Sequence, residues 1–214
     1  MARIVQVTPA APEAAPLQEA AAHLRLGQLV GMPTETFYGI AADALSAQAV
    51  ERVFELKGRP RDLPLPVIVD SLAMLETIAE IPPLGRRLTE KFWPGALSLI
   101  LPAREVVPEL LCGGTGKVAA RVSSHAVARG LATVFGGPIT ATSANISNRP
   151  GLLTAADVDR ELGAGLALIL DGGRLVSRTG STILDVTVEP PRVLRPGVVP
   201  DELIRQYLAR LRAG

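Results

Sequence analysis

Short apolar runs bounded by glycine or proline alternate with stretches of helical periodicity along most of this chain. Buried strands are indicated by the Val, Ile and Leu content and the short length of PLPVIVD, ALSLILP and ALILDG. A helix is indicated by SAQAVERVFELKG, where Ser46 suits the N-cap, apolar residues share one face, and Gly58 suits the end. Because strands and helices interleave irregularly, the sequence predicts an α/β fold with a mixed, twisted sheet flanked by helices.

The predicted elements extend from residue 16 to residue 212. Helices are predicted over residues 16–27, 46–58, 71–81, 84–93, 126–136, 155–163 and 200–212. Strands are predicted over residues 28–34, 64–70, 96–102, 118–123, 138–142, 167–172, 181–186 and 192–196. Neither a linker nor an internal repeat interrupts them, so we predict a single domain over residues 1–214. A hydrophobic content of 48% is ample for its core.

Charge and cysteine content exclude several classes of protein. The net charge of +1 argues against binding nucleic acid mainly through its backbone, so any positive site must be local. Cys112 is the single cysteine, which excludes an internal disulfide and a thiolate metal cluster. The N-terminus lacks the apolar core of a secretory signal, and no run is long enough to predict a membrane span. We therefore expect a cytoplasmic protein that contacts no membrane.

Two common catalytic signals are excluded. The run CGGTGKV resembles a phosphate loop, but Leu111 and Val118 stand where that motif needs Gly and Ser or Thr, so we interpret it as a Gly-rich turn. His23 and His125 have no carboxylate or cysteine at metal-ligand spacing, so we expect them at the surface or at helix caps, and we predict no protein metal site.

Polar residues cluster in four segments beside the apolar strands. The segments are MPTETFYG (32–39), KGRPRD (57–62), PITATSANIS (138–147) and VLRPG (193–197). Each is also compatible with an ordinary turn or a solvated basic loop. Arg and Lys recognise phosphate and carboxylate, and hydroxyls and amides add further contacts. Together they suggest an enzyme that orients an anionic, phosphate-bearing substrate, as in phosphoryl or nucleotidyl transfer.

Arg121 interrupts the apolar run VAARVS. A buried guanidinium without an anionic partner is costly. Either a carboxylate of the protein or a carboxylate of a ligand must therefore meet it.

Eight segments in order resemble the threonylcarbamoyl-AMP synthase family, also called YrdC-like, from about residue 18 to residue 198. They are PTETFYGIAADA, KGRPRDLPL, FWPGALSLIL, VAARVSSH, TATSANIS, DGG, GSTILDV and LRPG. The resemblance implies a three-layer α/β domain with a twisted mixed sheet around a concave, positively charged cavity. It also implies a nucleotidyltransferase that makes threonylcarbamoyl-AMP and pyrophosphate from L-threonine, bicarbonate and ATP. Other proteins then use this product for the t6A modification of adenosine 37 in tRNAs that read ANN codons.

The resemblance also implies roles for particular residues. Lys57 and Arg59 are implied to be catalytic. The residues implied to bind ATP are Lys57, Arg59, Lys117, Ser143, Asn145 and Arg195. The residues implied to bind threonine are Thr34, Thr36, Tyr38, Arg121 and Ser181, with Arg121 pairing the threonine carboxylate. Mg²⁺ is expected on the triphosphate, held mainly by the nucleotide because no carboxylate cluster marks a site.

Four positions depart from the commoner family pattern: Leu63, Ile68, Gly151 and Gly180. They lie among the outer contacts, and the core signature is intact. The chain resembles the short form of the family, which lacks a further C-terminal domain. Downstream t6A-modification proteins are the expected transient partners, and a weak contact with tRNA is left open. The alternatives are an RNA-binding YrdC-like protein without catalysis, a carbamoyl-transfer domain like those in hydrogenase-maturation proteins, and a non-catalytic regulator.

Overall fold

A computed structural model of the protein describes residues 1–213 and the side chains of residues 1–211. The helices are α1 (Ala14–Arg25), α2 (Ala47–Lys57), α3 (Leu72–Ile78), α4 (Pro83–Phe92), α5 (Ala126–Phe135), α6 (Ala155–Leu162) and α7 (Asp201–Ala213). The strands are β1 (Arg3–Gln6), β2 (Val30–Met32), β3 (Gly39–Ala41), β4 (Val67–Val69), β5 (Leu97–Pro102), β6 (Lys117–Val122), β7 (Ile139–Thr140), β8 (Thr142–Ser143), β9 (Leu168–Asp171), β10 (Thr182–Asp185) and β11 (Arg192–Arg195). The predicted α/β class is confirmed.

The strands form two mixed sheets. The first has the order β1-β9-β2-β3-β8, in which β9 runs parallel to both neighbours and β3 antiparallel to both of its own. The second has the order β11-β10-β5-β6-β4-β7, in which β10 pairs with β5 and β4 pairs with β6 in parallel. The sequence predicted one sheet, and the division into two is the main architectural difference from that prediction.

One short segment joins the two sheets. Residues 138–143 carry β7, which pairs with β4 of the second sheet, and β8, which pairs with β3 of the first. At the end of β7 the Thr140 amide donates to the Ala42 carbonyl at 3.0 Å, and between the two strands the Ala141 amide donates to the Pro66 carbonyl at 2.8 Å. Residues 138–142 were predicted as one strand, and the chain in fact pairs with a different sheet at each end of the segment.

Helix α2 has the ends that its sequence predicts. The Ser46 hydroxyl accepts a hydrogen bond from the Ala49 amide, and Gly58 adopts the left-handed conformation with φ 56°. The buried face carries Ala49, Val50, Val53 and Phe54 and, at its last turn, Lys57. The helix therefore delivers a cationic side chain into the protein interior.

The predicted helices are confirmed, including the last one, which was predicted over residues 200–212. Strands β1 and β3 were not predicted. Both are short, and β1 is mostly exposed and is held by parallel pairing with β9, which lies far away in the sequence. None of the helices in residues 1–213 is long and apolar enough to span a membrane.

Candidate active site

A cavity of about 470 Å³ lies where the two sheets face each other. The first sheet contributes β8 and the turn before β3, and the second contributes β5, β6, β10 and β11. The polar lining residues are Thr34, Thr36, Tyr38, Arg59, Arg121, Thr142, Ser143, Arg149, Ser181 and Arg195. Among the described residues, the lining contains four arginines and no carboxylate side chain.

Arg121 lies at the base of the cavity, on strand β6 in the middle of the second sheet. It is only 2% exposed. Its Nε donates to Oε1 of Glu35 at 2.8 Å, and the hydroxyl of the fully buried Ser123 donates to Oε2 of the same carboxylate. A protein carboxylate thus meets the buried guanidinium, which was one of the two alternatives that the sequence left open.

The turn between β2 and β3 supplies hydroxyls beside Arg121. The Thr34 hydroxyl donates to the Phe37 carbonyl at 2.7 Å and lies 3.0 Å from the Thr36 hydroxyl. Tyr38 is fully buried, and its hydroxyl donates to the Gly173 carbonyl at 2.8 Å and to Asp171 Oδ1 at 3.1 Å. Burial, and then the charge of Asp171, raise the pKa of Tyr38. The phenol therefore stays protonated and fixes the turn against the loop after β9.

Ser181 and Arg195 form the opposite wall. Arg195 donates to the Ser181 carbonyl through Nε at 3.2 Å and through Nη2 at 2.9 Å, and to the Ser181 hydroxyl at 3.1 Å. That hydroxyl also lies 3.0 Å from the hydroxyl of buried Ser98. Burial lowers the pKa of Arg195, and the positive charges of Arg121 and Arg59 lower it further. Arg195 therefore lies close enough to Arg121 and Arg59 for their charges to act on its own, an arrangement that favours binding of anions.

Lys57 is the last residue of helix α2, and Arg59 follows the cap residue Gly58. The Lys57 ammonium is 1% exposed and donates to the carbonyls of Ser143 and Asn145, the latter at 2.6 Å. Burial, and then the charge of Arg59, lower the pKa of Lys57 to about 8. Arg59 donates to the carbonyls of Leu63 at 3.1 Å and Pro64 at 3.0 Å, and burial lowers its pKa although Asp62 opposes the shift.

Asn145 fixes the loop that follows β8. It is 5% exposed, and its Nδ2 donates at 2.7 Å to the carbonyls of both Ile146 and Arg149. Its Oδ1 is buried without a hydrogen-bond partner among the described residues. Asn145 thus holds the loop of residues 145–149 in place through its amide nitrogen.

The structure brings most of the predicted site residues together. Those that line the cavity are Thr34, Thr36, Tyr38, Arg59, Arg121, Ser143, Ser181 and Arg195. Three others lie outside its lining. Lys57 and Asn145 are buried behind β8, and the Lys117 ammonium pairs with Asp185 Oδ2 at 3.2 Å.

The sequence interpretation missed two residues of this site. Glu35 was interpreted only as part of a polar turn. The buried Arg121 needs an anionic partner, and this need was the clue that could have identified Glu35. Arg149 follows the small polar segment TATSANIS in a loop containing proline and glycine, and it lines the cavity. Neither position stands out by residue type alone.

The four departing positions differ in their distance from the cavity. Gly151 and Gly180 line it, Leu63 is 44% exposed, and Ile68 is fully buried in the apolar core. At Gly151 a Cβ atom would lie 2.5 Å from the ring of Phe37. The glycine therefore lets this aromatic ring approach the loop after β8.

The segments that the sequence excluded from catalysis have structural roles. Gly113, Gly114 and Gly116 all have positive φ in the turn before β6. Nδ1 of His125 accepts from the Val127 amide at 3.3 Å and caps α5, as expected of this residue. Within the described residues, no group of His, Cys, Asp and Glu could hold a metal ion.

Comparison with known proteins gives consistent matches over most of the chain. A family model for Sua5_yciO_yrdC, described as telomere recombination, matches residues 22–197. The threonylcarbamoyl-AMP synthase of Pyrococcus abyssi is 43% identical over 194 residues, which cover 90% of this chain and 57% of that protein. The threonylcarbamoyl-AMP synthase of Bacillus subtilis is 38% identical over 194 residues, which cover 90% of this chain and 56% of that protein. The chain thus spans little more than half the length of these two relatives.

Solved structures match the fold closely. The crystal structure of P. abyssi Sua5 complexed with L-threonine has a TM-score of 0.92 and 42% identity, over 96% of this chain and 60% of that one. The crystal structure of Escherichia coli YciO has a TM-score of 0.85 over 92% of this chain and 97% of that one. Its identity is 24%, so this second likeness concerns the fold alone.

Proposed function

The chain belongs to the Sua5/YciO/YrdC family, and from this membership we propose that it is an L-threonylcarbamoyladenylate synthase. Its substrates are L-threonine, bicarbonate and ATP, and its products are threonylcarbamoyl-AMP and pyrophosphate. The enzyme is thus a nucleotidyltransferase that supplies the activated group for the t6A modification of tRNA. The observation that carries the proposal is a single cavity in which threonine hydroxyls, two serines and four arginines converge.

The threonine end of the proposed site is the base of the cavity. The hydrogen bond to Glu35 uses Nε of Arg121, so the terminal nitrogens of this guanidinium are the ones that a threonine carboxylate would meet. Thr34, Thr36 and Ser181 surround it with hydroxyls that suit the amine and hydroxyl of the substrate. Tyr38 holds the turn that carries the two threonines.

The nucleotide end is proposed to involve Arg59, Ser143 and Arg195, which line the cavity. Lys57, Asn145 and Lys117 do not line it. We infer that Lys57 and Asn145 act at this end partly by holding the backbone of β8 and the following loop. Lys117 stays a predicted nucleotide contact whose ammonium would have to leave Asp185.

The proposed reaction joins two anions. The threonine amine loses a proton and attacks CO2, or attacks bicarbonate with loss of water, to give a carbamate. A carbamate oxygen then attacks the α-phosphorus of ATP and displaces pyrophosphate. At about 4 Å, two unit charges repel by roughly 4 kcal/mol at an effective dielectric of 20. The arginines of the cavity offset this repulsion and orient both partners. No covalent intermediate with the protein is needed.

Mg²⁺ is expected to accompany ATP, as it does in most nucleotide reactions. The described lining of the cavity has no carboxylate that could hold it, and Glu35 is already engaged by Arg121 and Ser123. The protein residues therefore do not fit a resident metal site, and no step is assigned to the ion. Downstream t6A-modification proteins as partners, a weak contact with tRNA and a cytoplasmic location remain predictions.

Detection of the product tests the proposed function. Purified protein incubated with ATP, L-threonine and ¹³C-bicarbonate should yield threonylcarbamoyl-AMP that carries one heavy carbon by mass spectrometry. Serine in place of threonine serves as the specificity control. Absence of a labelled adenylate under conditions in which the protein stays folded would refute the proposal. Binding of tRNA without any product would favour the non-catalytic alternative.

A further inference from the structure

Arg149 differs from the other arginines of the cavity because its guanidinium meets no acceptor among residues 1–211. Arg59 donates to backbone carbonyls, Arg121 to Glu35, and Arg195 to Ser181. The Arg149 guanidinium makes no hydrogen bond or ion pair with any side chain or carbonyl of residues 1–211. It is exposed at the opening of the cavity, whereas Arg121 is buried at the base.

The backbone at Arg149 is nevertheless fixed. Its amide donates to the Ile146 carbonyl at 3.1 Å, and its carbonyl accepts from Asn145 Nδ2 at 2.7 Å. The loop is tied to helix α2 because the Ser147 amide donates to the Lys57 carbonyl at 3.0 Å. Pro150 follows and restricts the conformation of Arg149 to the extended region. An ordered backbone therefore presents an unpaired guanidinium at the opening.

The geometry of nucleotidyl transfer suggests which ligand the Arg149 guanidinium would bind. A new bond forms between the carbamate oxygen and the α-phosphorus, while the bond from that phosphorus to the bridging oxygen breaks. The bridging oxygen keeps the electron pair, so pyrophosphate leaves with one more negative charge. The attacking and leaving oxygens lie roughly in line on opposite sides of the phosphorus. With the amino acid held at the base by Arg121, the pyrophosphate points toward the opening.

We propose that Arg149 binds the β- and γ-phosphates of ATP and stabilises the charge that develops on the departing pyrophosphate. This inference rests on the proposed synthase function and adds a residue to the site. An arginine suits the role because its fork of donors matches phosphate oxygens bidentately. Its exposure also allows the pyrophosphate to leave into solvent with few other contacts to break.

Calorimetric titration of inorganic pyrophosphate, ATP and AMP tests the proposal in Arg149→Ala, Arg149→Lys and the wild type. Arg149→Ala should weaken pyrophosphate and ATP binding by on the order of tenfold or more, since hydrogen bonds to charged groups are among the strong ones. AMP, which lacks the terminal phosphates, should bind within about twofold of the wild type. Arg149→Lys should retain part of the affinity. Arg87→Ala removes an equally exposed cation from α4 and should change none of the three affinities.

Three outcomes would overturn the inference. The first is unchanged pyrophosphate affinity in Arg149→Ala, the second is an equal loss of AMP and pyrophosphate affinity, and the third is a wild-type protein that binds no pyrophosphate. The result is readable independently of catalysis because no threonine is present in the titrations. If the wild type binds pyrophosphate but makes no threonylcarbamoyl-AMP, the proposed function fails while the role of Arg149 in phosphate binding can still be judged.

Discussion

Arg121 and Glu35 form a buried ion pair beside the cavity. Both side chains are largely buried, at 3% and 12% exposure. Removing one partner of such a pair leaves an uncompensated charge, which is far more costly than losing an exposed ion pair. Glu35 therefore contributes to the stability of the fold, and it also fixes the orientation of the guanidinium that faces the cavity.

Substitution of Glu35 should destabilise the protein, by an amount that depends on whether Arg121 keeps a hydrogen-bond acceptor. Glu35→Ala should lower the free energy of unfolding by about 3 kcal/mol, because the buried guanidinium loses its counter-ion. Glu35→Gln should cost less, since its side-chain oxygen still accepts from Nε. Urea unfolding measures both, with the exposed Glu80→Ala as control. An alanine variant as stable as the wild type would show that Glu35 is not needed by Arg121.

Lys57 should give the protein a characteristic pH dependence. Its pKa is lowered from 10.5 to about 8 in the folded state, so the unfolded chain binds more protons between these values. Stability linked to Lys57 must therefore rise with pH from about 8 to 10.5, with a slope of at most about 1.4 kcal/mol per pH unit.

The comparison of wild type with Lys57→Met isolates this effect from other titrating groups. The difference in unfolding free energy should move in favour of the wild type between pH 8 and pH 10, as measured by urea unfolding. A difference that stays constant over this range, or that moves the other way, would mean that the ammonium is not destabilised by burial.

The loop after β8 and the turn before β3 act as one unit through Gly151 and Phe37. A Cβ at residue 151 would lie 2.5 Å from the Phe37 ring, closer than unbonded carbon atoms approach. Both residues line the cavity. The loop can hold its place only while residue 151 has no side chain or the ring has moved.

Gly151→Ser should therefore disturb the cavity through Phe37. We expect Gly151→Ser to raise the KM for threonine or ATP several-fold, and Phe37→Leu in the same chain to reverse most of that rise. A double-mutant cycle on steady-state kinetics measures the coupling between the two sites. If Gly151→Ser changes the KM equally with Phe or with Leu at residue 37, the contact between residues 151 and 37 does not control the position of the loop.

The sequence predicted the helices and the longer strands well because their periodicity and caps are local. Ser46 and Gly58 bound helix α2 as expected, and His125 caps α5. Strand β1 was missed because its partner β9 is distant in sequence. Strand β3 pairs with nearby β2 but has only three residues, too few to give a local strand pattern. The same limit explains the second sheet: nothing local in residues 138–143 shows that the segment changes partners.

Many of the residues that line the cavity could be predicted, but the contacts that these residues make could not. The family resemblance pointed to eight of the residues that line the cavity, and the burial of Arg121 demanded a carboxylate. That this carboxylate is Glu35 could not be predicted, because the turn of residues 34–38 meets β6 only through a contact between the two sheets. Likewise, the position of Lys57 on a helix end was predicted, but its full burial against the carbonyls after β8 depends on packing across the fold.

Two sheets contribute opposite walls of one cavity, so the site exists only when both are assembled. The pKa of Arg195 responds to Arg121 and Arg59, which approach it from other elements of the fold. A cluster of like charges is unfavourable alone and becomes favourable when anions bind between its members. We therefore expect ligand anions to stabilise the whole protein by binding only the folded state.

The two ends of the cavity should separate in a matched pair of variants. Arg121→Ala should weaken threonine binding far more than ATP binding, and Arg59→Ala should do the reverse, although each removes one lining guanidinium. Calorimetry with each ligand alone measures the split, and about tenfold is expected for the affected ligand. Equal loss of both ligands in both variants would indicate a diffuse electrostatic effect without distinct ends.

Pyrophosphate release from ATP, with each co-substrate omitted in turn, tests whether the cavity joins an amino acid to a nucleotide. Release should require both L-threonine and bicarbonate and should fall to the background level when either is absent. Release that is equally fast with ATP alone, or no release in the complete mixture from folded protein, would contradict this expectation.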